Sequence, residues 1–156
     1  MSATTLSRMY GINQHALHVN VKGVTNEEAW VQPSPSGNCM NWVVGHIVAS
    51  RNGVLAALGE EPIWPKEEAK TYARHSAPIT APGMGKPLDQ MLGDFDRAQE
   101  RIQAALGRIN DADLAKPFGD GDTVGGWLHF LQFHEAYHIG QVALLRRIVG
   151  HEGAIK

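Results

Sequence analysis

Apolar positions recur with a helical period in four stretches of the chain, and polar residues fill the positions between them. The first stretch uses Leu6, Tyr10, Leu17, Val21 and Val24. The second runs from about Met40 to Leu58 through Val43, Ile47 and Val54, with Asn38 as the expected cap. The third carries Leu88, Met91, Leu92, Phe95, Ala98, Ile102 and Leu106, with Pro87 at a favoured first position. The fourth starts after Asp122 or Thr123 and continues through Val124, Trp127, Leu128, Leu131, Val142, Leu145 and Val149. Arg146 and Arg147 lie in its last turn, where they suit the negative helix end, and Gly150 follows as a C-cap. No segment alternates apolar and polar residues with β-branched enrichment, so the pattern predicts an all-α protein.

The connections narrow the topology. About 27 residues, Gly59 to Lys86, separate the second and third helices, and Pro62, Pro65, Pro78 and Pro82 lie among them. A connection of that length can return along a bundle and let the two helices it joins run parallel. The first connection, with a T-x-x-E capping box at Thr25 and Glu28, and the third, Asn110 to Asp122, are shorter and suit antiparallel neighbours. The expectation is an up-down-down-up four-helix bundle with a long crossover between helices 2 and 3, built as a single domain over residues 1–156.

Composition sets limits on partners. A net charge of −2 with scattered Lys and Arg gives no electrostatic footprint for nucleic acid or an anionic membrane. No segment approaches the roughly 20 apolar residues of a membrane span, and the start, MSATTLSRMY, lacks the features of a secretory signal. The single cysteine, Cys39, agrees with a reducing cytoplasm.

The chemistry concentrates in the fourth stretch. His134, Glu135, Ala136, Tyr137 and His138 spell H-E-x-x-H. Histidines four residues apart lie one turn apart, offset by about 40°, so both rings can reach one metal ion. In a chain with 8 His, such a pair arises about 0.4 times by chance, and the adjoining Glu lowers this to about 0.02. Both rings also fall on the apolar stripe, between Leu131 and Val142. Two neutral imidazoles in a core need several hydrogen-bond partners, whereas a metal satisfies two acceptors at once. A zinc protease is the familiar reading of this motif. It needs a further ligand downstream, and only His151 and Glu152 follow, near the terminus. No strand is expected on which a peptide substrate would lie.

In bundles, metal ligands come from facing helices. His46 is the one histidine in the middle of another helix, and Gly45 beside it leaves room for close approach. A half-buried polar residue at the seam is the alternative reading of that position.

Taken together, N-W-x-x-G-H over Asn41 to His46 and H-E-x-x-H-x-G-Q over His134 to Gln141 resemble the DinB-like (YfiT-like) family of metalloenzymes. The resemblance spans nearly the whole chain. It implies a metal site of His46, His134 and His138, the up-down-down-up bundle, and frequent homodimers. Characterised members of the family include S-transferases and isomerases that use a low-molecular-weight thiol such as bacillithiol, mycothiol or glutathione.

Three imidazoles leave a metal position open, as in catalytic zinc sites, and an open site can lower the pKa of a bound thiol or water. Zinc or nickel is the expected divalent transition metal, since imidazole suits both. Glu135, about 60 to 100° around the helix from the ligands, is a candidate acceptor or base, and Gln141 and Tyr137 are candidates to orient water or substrate. The alternative for Glu135 is an exposed or interhelical carboxylate, and for Gln141 and Tyr137 a packing role with one satisfied polar tip. His15, His18, His75, His129 and His151 are read as surface or structural, and Cys39 as a small buried residue rather than a nucleophile. The expected function is metal-dependent thiol S-transfer or isomerisation on a small electrophilic substrate. Metal-dependent hydrolysis and a non-catalytic stress or interaction module stand as alternatives. Trp30, Trp42, Trp64 and Trp127 with several Met supply more apolar surface than a 17.0 kDa bundle hides, which points to a homodimer.

Overall fold

The structure, a computed structural model, describes residues 2–155. Four long helices form where the apolar period predicts them: α1 (Ala3–Val21), α3 (Met40–Ala57), α5 (Leu88–Leu106) and α7 (Val124–Ile148). Short helices α2 (Asn26–Ala29), α4 (Lys66–Lys70) and α6 (Asp111–Leu114) lie in the connections. A two-residue hairpin, β1 (Pro117–Phe118) with β2 (Asp122–Thr123), is the one departure from all-α among the described residues. It pairs Pro117 with Thr123 and Phe118 with Asp122 across Gly119 and Gly121, both at positive φ.

The helix ends follow local chemistry. The Thr25 hydroxyl accepts from the Glu28 amide while the Glu28 carboxylate accepts from the Thr25 amide, the expected capping box. Asn110 and Asp113 form a second box at α6. Thr123 caps α7 by accepting from the Gly126 amide, and Gly150 closes it at φ 95. Arg146 turns to α1 and donates to the Asn20 and Lys22 carbonyls, so one last-turn cation serves two helix C-termini. Three boundaries differ from the expectation. Helix α1 stops at Val21 because Gly23 takes φ 80, so Val24 lies beyond it. Cys39 rather than Asn38 holds the α3 N-cap, and Pro87 precedes α5 instead of opening it.

Among the four long helices, α1 packs against α5 and α7, and α3 packs against the same two helices. Helix α3 is buried on nearly every side, which its low polarity permits. One core cluster gathers Leu6, Tyr10, Val54, Leu55, Ile102 and Leu128. The other gathers Leu17, Val44, Ile47, Trp64, Tyr72, Phe95 and Val142.

The crossover between α3 and α5 is part of that second cluster. Asn52 Oδ1 accepts from the Ile63 and Trp64 amides, and its Nδ2 donates to the Trp64 carbonyl. The Trp64 indole in turn donates to Asp94 at 2.7 Å. Trp42 and Trp64 are therefore buried, and half of the tryptophan surface expected to be in excess is absorbed by the crossover folding back on α3. No helix among the described residues is long and apolar enough to cross a membrane.

Candidate metal centre

His46, His134 and His138 converge between α3 and α7. His46 Nε2 lies 3.3 Å from His134 Nε2, which lies 3.1 Å from His138 Nε2. Both separations are near the roughly 3.3 Å expected between imidazole nitrogens that share one zinc ion, and the ligand atoms of the three rings all lie within 4.8 Å of one another. Two of the rings are fixed by what their other nitrogen does. His46 Nδ1 donates to the Tyr72 carbonyl at 2.7 Å, and His138 Nδ1 donates to the Gln141 side-chain oxygen at 2.7 Å. In the neutral rings, both Nε2 atoms therefore carry lone pairs aimed at the centre.

His134 Nδ1 is buried without a hydrogen-bond partner. A proton on Nε2 satisfies one neighbouring lone pair and leaves the other unpaired, whereas a proton on Nδ1 leaves three lone pairs facing one another. A cation at the centre would accept those three lone pairs, with the Nδ1 proton of His134 still unpartnered among the described residues. Burial, the largest cause at each ring, pushes all three imidazoles below their ordinary 6.5, with His138 pushed down to about 4. The rings are then neutral near neutral pH, the form that ligates metal.

The surrounding residues shape the site. Trp42, one turn before His46, stacks on its ring at 4.9 Å and 10° and donates its indole N–H to Ser76. Gly45 leaves space as expected, but for the crossover rather than a helix: a Cβ there would lie 2.2 Å from the Tyr72 ring. That approach is what brings the Tyr72 carbonyl to His46. Tyr137 and Phe130, both exposed, flank His138 and His134 on the solvent side of α7.

Of the other candidates, Gln141 joins the cluster directly, and Tyr137 stands at its rim. Glu135, expected as an acceptor or base, is not brought to the cluster. It is buried between α7 and α3, where its oxygens accept from Arg51 Nε and Nη2 at 2.8 and 3.0 Å. Arg51 also donates to the Phe95 carbonyl and lies over the Phe95 ring. Sequence reasoning missed this arginine, although a cation one turn beyond Ile47 on a buried helix was the available signal. It also missed Tyr72, whose role runs through its backbone. Cys39 is buried and donates to the Ile79 carbonyl. His18 and His151 pair with Asp96 and Glu28, away from the centre.

Residues 10–142 match the DinB superfamily, a span that includes all three histidines. The chain belongs to the DinB superfamily. This DinB protein also resembles a conserved protein from Enterococcus faecalis, known by its crystal structure, with a TM-score of 0.74. The two share 15% identity over 96% of this chain and 98% of that one, a likeness that shows the fold. No curated protein matches the DinB chain.

Proposed function

We propose that this DinB protein is a metal-dependent enzyme holding one divalent transition ion, zinc or nickel, through His46, His134 and His138. The observation that carries the reading is the convergence of three Nε2 atoms whose rings are oriented from behind by the Tyr72 carbonyl and Gln141. An ion held by three neutral imidazoles supplies Lewis acidity to a thiol or water at its open position. The chain's own residues orient the ligands and form the walls: Gln141 fixes the His138 tautomer, Trp42 fixes the plane of His46, and the Tyr137 hydroxyl stands at the rim for substrate.

We read the reaction as thiol transfer or isomerisation on a small electrophile, with a low-molecular-weight thiol as co-substrate. The specific support over hydrolysis is the position of Glu135. With both oxygens held by Arg51, it is not free to take a proton from water, and its role is to hold α7 against α3. Thiols offered with model electrophiles, beside ester and amide substrates offered alone, test the reading. Turnover that needs the thiol supports it, and turnover only without thiol overturns it.

The same reading takes the chain as one cytoplasmic domain with an up-down-down-up bundle. Supporting the directions, Tyr10 and Asn13 reach Leu128 and Gln132 in the same order along α1 and α7, while His46 lies against His134 and His138 and the later Gly53 lies against the earlier Leu131 and Trp127, the opposite order along α3 and α7. We also propose a homodimer through α7. Phe130, Phe133, Tyr137, Leu144 and Ile148 are exposed along its outer face, with Gly140 open among them.

A further inference from the structure

A cavity of about 470 Å³ opens between α3 and the crossover, with His46 as one wall. Its volume is in the range of small-molecule pockets. Ala49, Ser50, Trp64, Ala69 and Tyr72 line it, a surface that is almost wholly apolar. Apart from the Ser50 hydroxyl, the polar side chains of these inner walls are already engaged. Asn52 is taken by the Ile63 and Trp64 backbone, the Trp64 indole by Asp94, and the Tyr72 hydroxyl by the Lys86 amide. A ligand inside therefore meets little that would repay burying a polar body.

The rim has a different character. Lys66 and Lys70, one turn apart on α4, border the cavity and are exposed, and among the described residues neither has an ion-pair partner. Of the acidic residues on α4, Glu68 is taken by Lys86 at 2.6 Å, and Glu67 makes no ion pair with either lysine. Lys86, neutralised by Glu68, lies over the Trp64 ring, 5.4 Å from its centre. Apolar walls with two unpaired ammonium groups at the mouth suit one class of molecule.

The geometry points to this cavity as the substrate pocket, receiving an organic anion whose apolar body packs on Trp64 and Tyr72 and whose charged group meets Lys66 and Lys70. This rests on the metal-site reading above, because His46 is the wall that the pocket shares with the centre. The anion is held at the α4 end, which directs the far end of the molecule toward His46.

Two fluorescent probes of similar aromatic body test it: the anion anilinonaphthalene sulfonate and the uncharged N-phenylnaphthylamine. The anion is expected to bind with one site per chain, and the Lys66→Gln/Lys70→Gln double variant to weaken it about fivefold while leaving the neutral probe's affinity unchanged. Ser50→Trp fills the cavity and abolishes binding of both. Ala73→Trp, at the exposed edge of the cavity, serves the same purpose if Ser50→Trp lowers the melting temperature. Equal anion affinity in the lysine variant, or undiminished binding in a filled variant that remains folded, overturns the proposal. Metal content measured on the same preparations keeps the two readings apart. Probe binding with these properties in a protein that takes up no metal upholds the pocket and removes the metal centre, and normal metal uptake without probe binding does the reverse.

Discussion

Arg51 on α3 and Glu135 on α7 form a two-pronged ion pair with both side chains almost wholly buried, at 0% and 3% exposure. The pair lies one residue from His134 on α7 and five from His46 on α3, so it fixes the register at which the two helices bring their histidines together. Removing one partner leaves an uncompensated buried charge, which costs far more than removing both. Glu135→Leu alone is expected to destabilise the fold by about 3–5 kcal/mol, and Arg51→Met/Glu135→Leu to recover most of that loss. Urea unfolding of the two variants checks the prediction. A double variant as unstable as the single one would show that packing, not charge, dominates there.

Gly45 is required by Tyr72. A methyl group at position 45 would lie 2.2 Å from the Tyr72 ring, and the ring itself is buried. Gly45→Ala is therefore expected to displace the crossover, cost about 1–3 kcal/mol, and free His46 Nδ1 from the Tyr72 carbonyl. The melting temperature should fall, and metal titration should show weaker binding than in wild type. Normal affinity in this variant would mean that Tyr72 does not orient His46.

Glu28 gives a pH dependence with a definite sign. The Thr25 amide, first, and the His151 side chain hold its carboxyl below the ordinary 4.5. A carboxylate depressed in the folded state contributes stability above its unfolded pKa, and that contribution is lost as pH falls through the lower folded value. The melting temperature should fall more steeply for wild type than for Glu28→Gln below a pH of about 4.5. Parallel curves for the two proteins would show that the capping box carries no titratable stability.

On α7, the exposed ridge of Phe130, Phe133, Tyr137, Leu144 and Ile148 predicts self-association. Light scattering at tens of micromolar should give twice the 17.0 kDa chain mass. Phe133→Glu/Leu144→Glu should return it to one chain without lowering the melting temperature, because both side chains face solvent. A wild-type mass of 17.0 kDa across the series would exclude the dimer.

What the sequence made legible is local. The four long helices, the Thr25–Glu28 box and the Gly150 cap follow from period and end chemistry within a few residues. The histidine pair on α7 follows from the same periodicity, because i and i+4 share a face whatever the fold. Contacts between distant segments were not legible. Glu135 looked available as a base because its partner, Arg51, lies 84 positions away. The Tyr72 carbonyl carries no residue-type signal, since any residue supplies one. Trp42 and Trp64 looked like spare surface because nothing local says that a proline-rich connection folds back over them. The hairpin at Pro117 to Thr123, two residues per strand, is too short to produce an alternating pattern.

In the proposed function, His46, His134 and His138 bind one metal ion together. Elemental analysis of protein purified without a histidine tag, after incubation with zinc or nickel and removal of the excess, tests it most directly. One ion per chain is expected in wild type, with loss of that ion in His134→Ala while the helical circular dichroism is retained. Sub-stoichiometric metal in wild type, or a full complement in His134→Ala, would contradict it.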